Sequence, residues 1–464
     1  MPDRVDTSAA ATVGAALRRI SYDESAVERL LGEDSWSTAI DDAEAHERRL
    51  PQTAVATAIR LFFLERPVAR DDAESALGAR AVTALARAKL ARVDKQTVEP
   101  LARIAPVGLI LLASDRLSTD PTRDPPDYVS TYSPTARLCD LLTPRPWVSR
   151  ALDVGTGNGV QALLAAGHSD HVVATDVNPR ALAFTELNAA LSGIDNVETR
   201  SGSLFEPVAG ERFDLIVCNP PFVVSPERRW TYRDGWLEGD ELSAQVVRDT
   251  AAHLADGGFA TILASWLGRN AAAPDEHVWD WVQGTGCDAW ILPVDEATPR
   301  EHAERWNAHL ANDRAAHRDA VRRWAAYVKE LGAGVVTEGG ILLHRRDGHN
   351  TARIDEVDED QLDAADHQIR RAFAARAALE GHDLLEAQLE PVETLRVETL
   401  SRRARVTLEE GIWSQLEVSL GAAAVLGKLD GRPLRELRPT DAAVAACREL
   451  LELGAFEVRA TSAP

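Results

Sequence analysis

The amino-acid sequence predicts an α/β protein organised around a parallel sheet, with a smaller domain on either side. Three observations lead there. Short apolar runs alternate with helical stretches through the middle of the chain. The first of those runs opens into a glycine-rich loop, and a later one ends in a loop stiffened by two prolines. Strands buried on both faces read as continuous apolar runs, and parallel neighbours need a helical crossover between them.

The elements follow in chain order. From about Ala9 to Asp115, Ala, Leu and Arg recur at three- and four-residue spacing, a helical pattern. Ala56–Leu64 predicts an amphipathic helix. Pro67 opens a second, which Asp71 or Asp72 is placed to cap, and Ala79–Leu90 predicts a third. Val93–Val98 and Leu109–Ala113 suit two short strands. Three helices and a strand pair is the order of a winged helix, so residues 1–120 are expected to form a helical, winged-helix-like domain. The proline- and aspartate-rich stretch from Pro121 to Tyr128 predicts a linker.

Strands are then expected at Ala151–Val154, Val172–Thr175, Leu215–Cys218, Phe259–Leu263 and Ala289–Leu292, with helices between them. A charged helical stretch at about 298–333 looks inserted before a late strand or hairpin, Val335–Thr337 and Gly340–His344. Together these make a core domain over residues 128–350. Seven acids between Asp355 and Asp366 mark a second boundary, read as a solvated linker. Residues 355–464 predict a small α+β domain: a strand at Ala404–Leu408, then a helix, a turn and a second helix over Ala422–Leu437, and a third helix at Asp441–Leu453.

Composition narrows the function. The chain has 464 residues, 45% hydrophobic and 27% charged, an ordinary globular make-up. Its formal net charge of −22 repels phosphate and anionic lipid, which argues against a nucleic-acid or membrane partner without excluding a local basic face. Cys139, Cys218, Cys287 and Cys447 lie far apart, so no pair has metal or redox spacing, and buried thiols in a reducing compartment are expected. No apolar run approaches a membrane span, and the first residues lack a basic stretch followed by an apolar one; the cytoplasm is the expected location.

The strongest motif is Ala151-Leu-Asp-Val-Gly-Thr-Gly-Asn-Gly-Val. A strand ends at Val154, a loop of Gly155, Thr156, Gly157, Asn158 and Gly159 follows, and a helix begins. Glycines let backbone turn sharply and approach a ligand, and amides at a helix start favour a polar or anionic ligand edge. Asp153 precedes the loop, where it can accept from a ligand amine directly or through water. A second strand ends in Asp176, 23 positions after Asp153, where an acid can reach both ribose hydroxyls of an adenosine. A dinucleotide loop would place its last glycine at Val160, so the spacing argues against NAD.

The second motif is Leu215-Ile-Val-Cys-Asn-Pro-Pro-Phe. Pro220 and Pro221 stiffen the strand exit and aim the carbonyls there. Asn219 offers an acceptor and donors, and Phe222 offers a flat face for stacking. These parts suit a planar –NH2 whose hydrogens are held by the Asn219 oxygen and a backbone carbonyl. Such a site works by positioning and charge placement and needs no strong base.

The two motifs together resemble the class I S-adenosylmethionine-dependent methyltransferases, over about Ser130 to Arg345. Within them they resemble the amino-methyltransferases that act on release-factor glutamine, adenine N6 or rRNA guanine N2. The resemblance implies a Rossmann-like sheet, S-adenosylmethionine as cofactor, and methyl transfer to a planar nitrogen, with a protein glutamine favoured. It leaves an rRNA, tRNA or DNA base, a small molecule, or a non-catalytic cofactor-binding module as alternatives. It implies that Asp153, Gly155–Gly159, Asp176, Ser203 and Leu204 hold the cofactor, with Asn219 bordering it, and that Asn219, Pro220, Pro221 and Phe222 hold the target nitrogen. Relatives often carry Asp at the position of Ser203, and release-factor enzymes usually carry Tyr where Phe222 stands. Tyr132 and Thr135 occupy a segment that lines the site in relatives.

Smaller signals remain. Arg228, Arg229, Trp230, Tyr232 and Trp236 follow the proline loop and can clamp a substrate by stacking and charge. Arg80, Arg87, Lys89, Arg92 and Lys95 occupy the place of a recognition helix, fit for nucleic acid or for a homodimer contact. The histidines, His302, His309 and His317 among them, show no ligand spacing; solvated helix faces are expected and no metal.

Overall fold

The computed structural model describes residues 5–32, 43–118, 124–227, 233, 237–270, 273–380 and 382–459. The chain divides into one unit of residues 1–137, 147–242 and 299–332 and a second of 138–146, 243–298 and 333–464.

The first unit opens with helices Thr7–Arg19 and Glu24–Leu31, whose Asp6 and Asp23 accept from the first-turn amides of Ala9 and Ala26. Helices Ala43–Arg49 and Ala54–Ala58 follow, the latter running into a π-helical turn, Ile59–Phe63. Strand β1 (Val68–Ala69) leads into helices Arg70–Leu77 and Ala79–Arg87. The cap of the first of these is Ala69, not Asp71 or Asp72, which lie in its first turn and complement the helix dipole. Strands β2 (Ala91–Val93), β3 (Thr97–Pro100), β4 (Arg103–Val107) and β5 (Ile110–Ser114) complete this region. β1, β3 and β2 form one antiparallel sheet, and β4–β5 a separate hairpin. The expected strand over Val93–Val98 is a hairpin turn, because the Asp94 carboxylate accepts from the Gln96 and Thr97 amides and closes it.

The same unit holds four parallel strands: β6 (Val148–Val154), β7 (Ser169–Asp176), β8 (Val197–Ser201) and β9 (Phe213–Cys218). Their order is β9-β6-β7-β8, with helix Val160–Ala166 between β6 and β7 and helix Pro179–Ser192 between β7 and β8. Helices Pro299–Trp306 and Arg314–Glu330 form the insertion.

The N-terminal helices and helix Pro179–Ser192 share one apolar core. Leu17, Phe62, Phe63, Leu85 and Ile104 pack in one cluster with Phe184, Leu187 and Leu191. Contact is close enough at Gly14 that a Cβ there would sit 1.9 Å from the Leu191 carbonyl oxygen. That oxygen also accepts from Arg18 Nη1 at 2.5 Å.

In the second unit, β10 (Leu254–Gly268), β11 (Cys287–Ala297) and β12 (Val335–Arg345) are long strands, with β12 antiparallel to both others. The late strand is therefore one strand and not a hairpin. β13 (Ala352–Ile354) runs parallel to β11. The C-terminal part has strands β14 (Gln388–Pro391), β15 (Leu395–Thr399), β16 (Arg403–Leu408), β17 (Ser414–Ser419) and β18 (Phe456–Arg459). Helices Asp366–Leu379, Leu420–Leu426 and Asp441–Glu452 pack with them around Leu389, Val406, Leu450 and Phe456. A 3-10 turn, Leu434–Leu437, stands where a second helix was expected. Within the acidic run Glu356, Asp358, Glu359, Asp360 and Asp363 are exposed, as a solvated segment requires, and only its two ends are paired. Asp355 accepts from the Trp290 indole at 2.8 Å and pairs with Arg353, and Asp366 accepts from the Arg145 amide at 2.6 Å.

The close approach at Gly14 makes a prediction. Gly14→Ala should destabilise the protein by about 1–3 kcal/mol, the usual cost of overpacking. Urea unfolding checks it, and a midpoint equal to wild type contradicts this packing.

Candidate active site

Three strand ends place the site. Val154 of β6 lies beside Thr175 of β7 on one side and beside Cys218 of β9 on the other. The residues that follow these strand ends, Gly155, Asp176 and Asn219, therefore leave one edge of the parallel strands at one level. That carboxyl edge is where open α/β sheets bind ligands.

The glycine loop is held by backbone and buried polar groups. Gly155 and Gly157 take φ of +70° and +57°, and a Cβ at either would meet nothing within 4 Å. The space over the loop is open. Gly155 and Thr156 both donate their amides to the Thr175 carbonyl at 2.9 Å. A Cβ at Gly159 would instead sit 2.9 Å from the Thr185 side chain, so this glycine serves helix packing. Asp153 is buried beneath the loop. Its Oδ2 accepts from Thr156 Oγ1 at 2.6 Å and from the Ala162 amide at 3.0 Å. Burial pushes its carboxyl up to about 7 against the pull of those two hydrogen bonds. Asn158 donates to the Ser130 carbonyl at 2.8 Å and accepts from the Val160 amide.

Asp176 is half-buried. Its Oδ2 accepts from the Gly157 amide at 2.9 Å and its Oδ1 from the Asn178 amide at 2.8 Å, while burial raises its pKa. Each carboxylate oxygen has a second lone pair for a ligand hydroxyl. Gly202 donates to the Asp176 carbonyl at 3.1 Å, which brings Ser203 and Leu204 alongside. The Leu204 carbonyl accepts from Thr175 Oγ1 at 3.3 Å, and the Ser203 amide reaches Glu206 at 3.4 Å.

Pro220 is buried, Asn219 and Pro221 are half-buried, and Phe222 is only 9% exposed, so its ring shows little face. The Asn219 side chain makes no hydrogen bond among the described residues. Beyond the tetrad, the Val224 carbonyl accepts from His302 Nε2 at 2.8 Å. His302 is buried, and desolvation pushes its pKa down to about 4, so it is neutral and not on a solvated face. Among the described residues no His, Cys, Asp or Glu cluster could hold a metal ion. All four cysteines are buried, and none is joined in a disulfide.

Tyr132 packs against an apolar cluster that includes Val107, Ile110 and Leu163. The Thr135 hydroxyl is 2.9 Å from Ser133 Oγ, which accepts from the Ala136 amide at the start of helix Pro134–Leu141. Arg228, Arg229, Trp230, Tyr232 and Trp236 lie outside the described residues.

Sequence reasoning missed three groups here. Asn188, fully buried, donates to the Asn158 and Ala113 carbonyls and accepts from the Ala113 amide, each at 2.8 Å, tying the glycine loop to β5. Its signal was a polar residue at a core position of a helix. Val177 follows Asp176 and is 49% exposed, an apolar side chain left open at the rim. His302 carried no spacing signal at all. The open space over the glycines, a half-buried acid with spare lone pairs and an exposed apolar neighbour together fit a nucleoside.

Residues 134–266 match the methyltransferase small domain family, and residues 19–101 match a domain of unknown function. The chain is 36% identical over 169 residues to the ribosomal protein uL3 glutamine methyltransferase of Bradyrhizobium diazoefficiens, covering 32% of this chain and 52% of that protein. It is 36% identical over 129 residues to a release factor glutamine methyltransferase of Xylella fastidiosa, covering 25% and 47%. The same-named protein of Cereibacter sphaeroides is 33% identical over 236 residues, covering 48% of this chain and 78% of the relative. The chain belongs to the class I S-adenosylmethionine-dependent methyltransferases related to the release factor glutamine methyltransferases. It spans about half the length of the first two of these relatives. Its fold is the class I methyltransferase fold, with parallel strands in one unit and largely antiparallel ones in the other.

The buried Asp153 makes stability depend on pH. Its folded pKa lies above the ordinary carboxylate value, so its contribution is fully present below about pH 4 and is lost as pH rises through about 7. Asp153→Asn removes that dependence while keeping an acceptor for Thr156 and Ala162. Without ligand, the melting temperature of the variant should gain on wild type from pH 5 to pH 7 and hold the difference above pH 8. A difference constant across that range contradicts the burial argument.

Proposed function

We propose that this chain transfers a methyl group from S-adenosylmethionine to the side-chain nitrogen of a protein glutamine. The observation that carries the reading is the Asn-Pro-Pro-Phe loop at the strand end next to the glycine loop, in a chain whose relatives bear the names of glutamine methyltransferases.

When bound, S-adenosylmethionine supplies an electrophilic methyl on a sulfonium. Gly155, Thr156, Gly157, Asn158 and Gly159 shape the floor of its site, and Asp176 accepts from the two ribose hydroxyls. Asp153 takes the ligand ammonium directly or through water, a role its ionised form performs, so binding strengthens as pH rises through about 7. Ser203, Leu204 and Val177 border the adenine. The Asn219 oxygen and the Pro220 carbonyl accept the two hydrogens of the acceptor amide, which turns its nitrogen lone pair toward the methyl. The two prolines hold those acceptors still, so less ordering is left to the transition state. A proton leaves the nitrogen after transfer, and no strong base is required. Phe222 packs the base of this cradle, and Tyr132 and Thr135 shape the segment beside it. Arg228 and Trp230 complete the substrate side.

A nucleobase amine is the second reading, favoured by Phe in the last place of the tetrad and by the exposed Arg80, Lys89 and Lys95. Two other basic residues of that region are already paired, Arg87 with Asp6 and Arg92 with Glu99. On this proposal residues 1–120 form a winged-helix-like domain, 128–350 the catalytic domain with its insertion, and 355–464 a third domain. The enzyme works in the cytoplasm, and a homodimer is compatible with it. Among the described residues no helix is long and apolar enough to cross a membrane.

Asn219→Ala should abolish transfer of tritiated methyl to purified release factor and uL3 while leaving the cofactor dissociation constant within about twofold by calorimetry, since it removes only an acceptor on the target side. A wild-type rate contradicts the assignment. Label in RNA or DNA, with binding that weakens steeply with salt, moves the substrate to nucleic acid.

A further inference from the structure

We propose that the insertion Pro299–Gly332 is the element that positions the Asn219–Phe222 cradle for transfer, through His302 and a cage around Glu227. This rests on the reading of Asn219 as the group that holds the acceptor nitrogen.

The six residues from Asn219 to Val224 form a short span fixed at both ends. At the amino end, Cys218 is in register with Val154. At the carboxyl end, His302 Nε2 donates to the Val224 carbonyl at 2.8 Å. A carbonyl only accepts, so Nε2 carries the proton. The Val223 amide donates to the Arg233 carbonyl at 3.3 Å and gives a second hold. Between the two ends stand Pro220 and Pro221, each with φ locked by its ring. A stiff span with two fixed ends has little freedom to shift its carbonyls, and releasing one end restores that freedom.

The insertion supplies the second end from both of its helices. His302 lies on Pro299–Trp306 and is fully buried. Helix Arg314–Glu330 contributes Trp324 Nε1 and Arg323 Nη2, which donate to Glu227 Oε1 at 3.3 and 3.0 Å. Arg233 stands 3.7 Å from Glu227 Oε2, lies over the Trp324 ring at 5.2 Å, and donates to the Trp306 carbonyl at 3.5 Å. The His302 and Trp324 rings are 5.8 Å apart, so the two anchors are one packed unit. Charge, aromatic packing and a buried hydrogen bond all close on residues 223–227, just past the tetrad. The hold acts on the backbone just past the tetrad, so the predicted effect falls on turnover and not on cofactor affinity.

The test compares His302→Phe, which keeps the ring volume and loses the donor, with His302→Gln, which keeps a donor. Glu227→Ala is the independent variant, since Glu227 is partly exposed and its loss opens no core. Each is assayed for tritiated methyl transfer to release factor and uL3, for cofactor affinity by calorimetry and for melting temperature. His302→Phe and Glu227→Ala should each lose about 10- to 100-fold in kcat, the scale set by an ångström of misplacement. Their cofactor dissociation constants should stay within about twofold, and His302→Gln should recover a large part of the loss. Wild-type kcat in both His302→Phe and Glu227→Ala overturns the proposal. So does a loss of cofactor binding in proportion to turnover. If His302→Phe fails to fold, Glu227→Ala decides alone. Asn219→Ala run alongside separates the two readings. An active Asn219→Ala sinks the site assignment itself, whereas an inactive one beside fully active insertion variants sinks only the role of the insertion.

Discussion

Everything at the site depends on three parallel strands ending at the same level. The pairing of Val154 with Thr175 and with Cys218 sets where the glycine loop, Asp176 and Asn219 emerge. Side chains on a strand alternate faces, so a slip of one residue in either pairing turns its whole set over. β6, buried from Ala151 to Val154 and paired on both sides, makes such a slip costly. No side chain at the site has to create this geometry; each inherits it from the backbone ladder.

A second layer fixes the loops themselves, and it is polar and buried. Asp153 sits under the glycine loop with its charge disfavoured by burial, and Asn188 spends its whole amide on three backbone groups. Leaving any of these partners unmade costs roughly 1–3 kcal/mol, so the network tolerates few alternatives. The result is a loop whose glycines are free of side-chain contact above and tightly held below. The proline loop is treated the same way from the other direction, with a strand register before it and His302 after it.

How much of this was legible follows from burial. β6, β7, β9, β10 and β11 are buried on both faces and announced themselves as apolar runs. β8 is half-exposed along its length and left no such run. The gap between Val335–Thr337 and Gly340–His344 left a hairpin open there. In the structure a Cβ at Gly339 would sit 2.2 Å from the Leu292 carbonyl oxygen and 2.9 Å from the Trp266 ring, so glycine there lets the strand run on beside its neighbours. The glycine loop and the acid beside it could be read because a loop of alternating glycines and a following acid are constrained by local spacing. His302 and Glu227 could not, since their partners are 78 and 97 residues away in the chain and no local pattern records such a pairing.

The shared core of the N-terminal helices and helix Pro179–Ser192 has one more consequence. That helix is the crossover leaving the strand that carries Asp176, and its Phe184, Leu187 and Leu191 are covered in part by the first hundred residues. A shortened chain beginning at the linker would hand those side chains to water and strip Asn188 of its Ala113 partners. The leading segment is thus a wall of the unit that carries the glycine loop, and evolution could not exchange it freely without rebuilding the loop it supports.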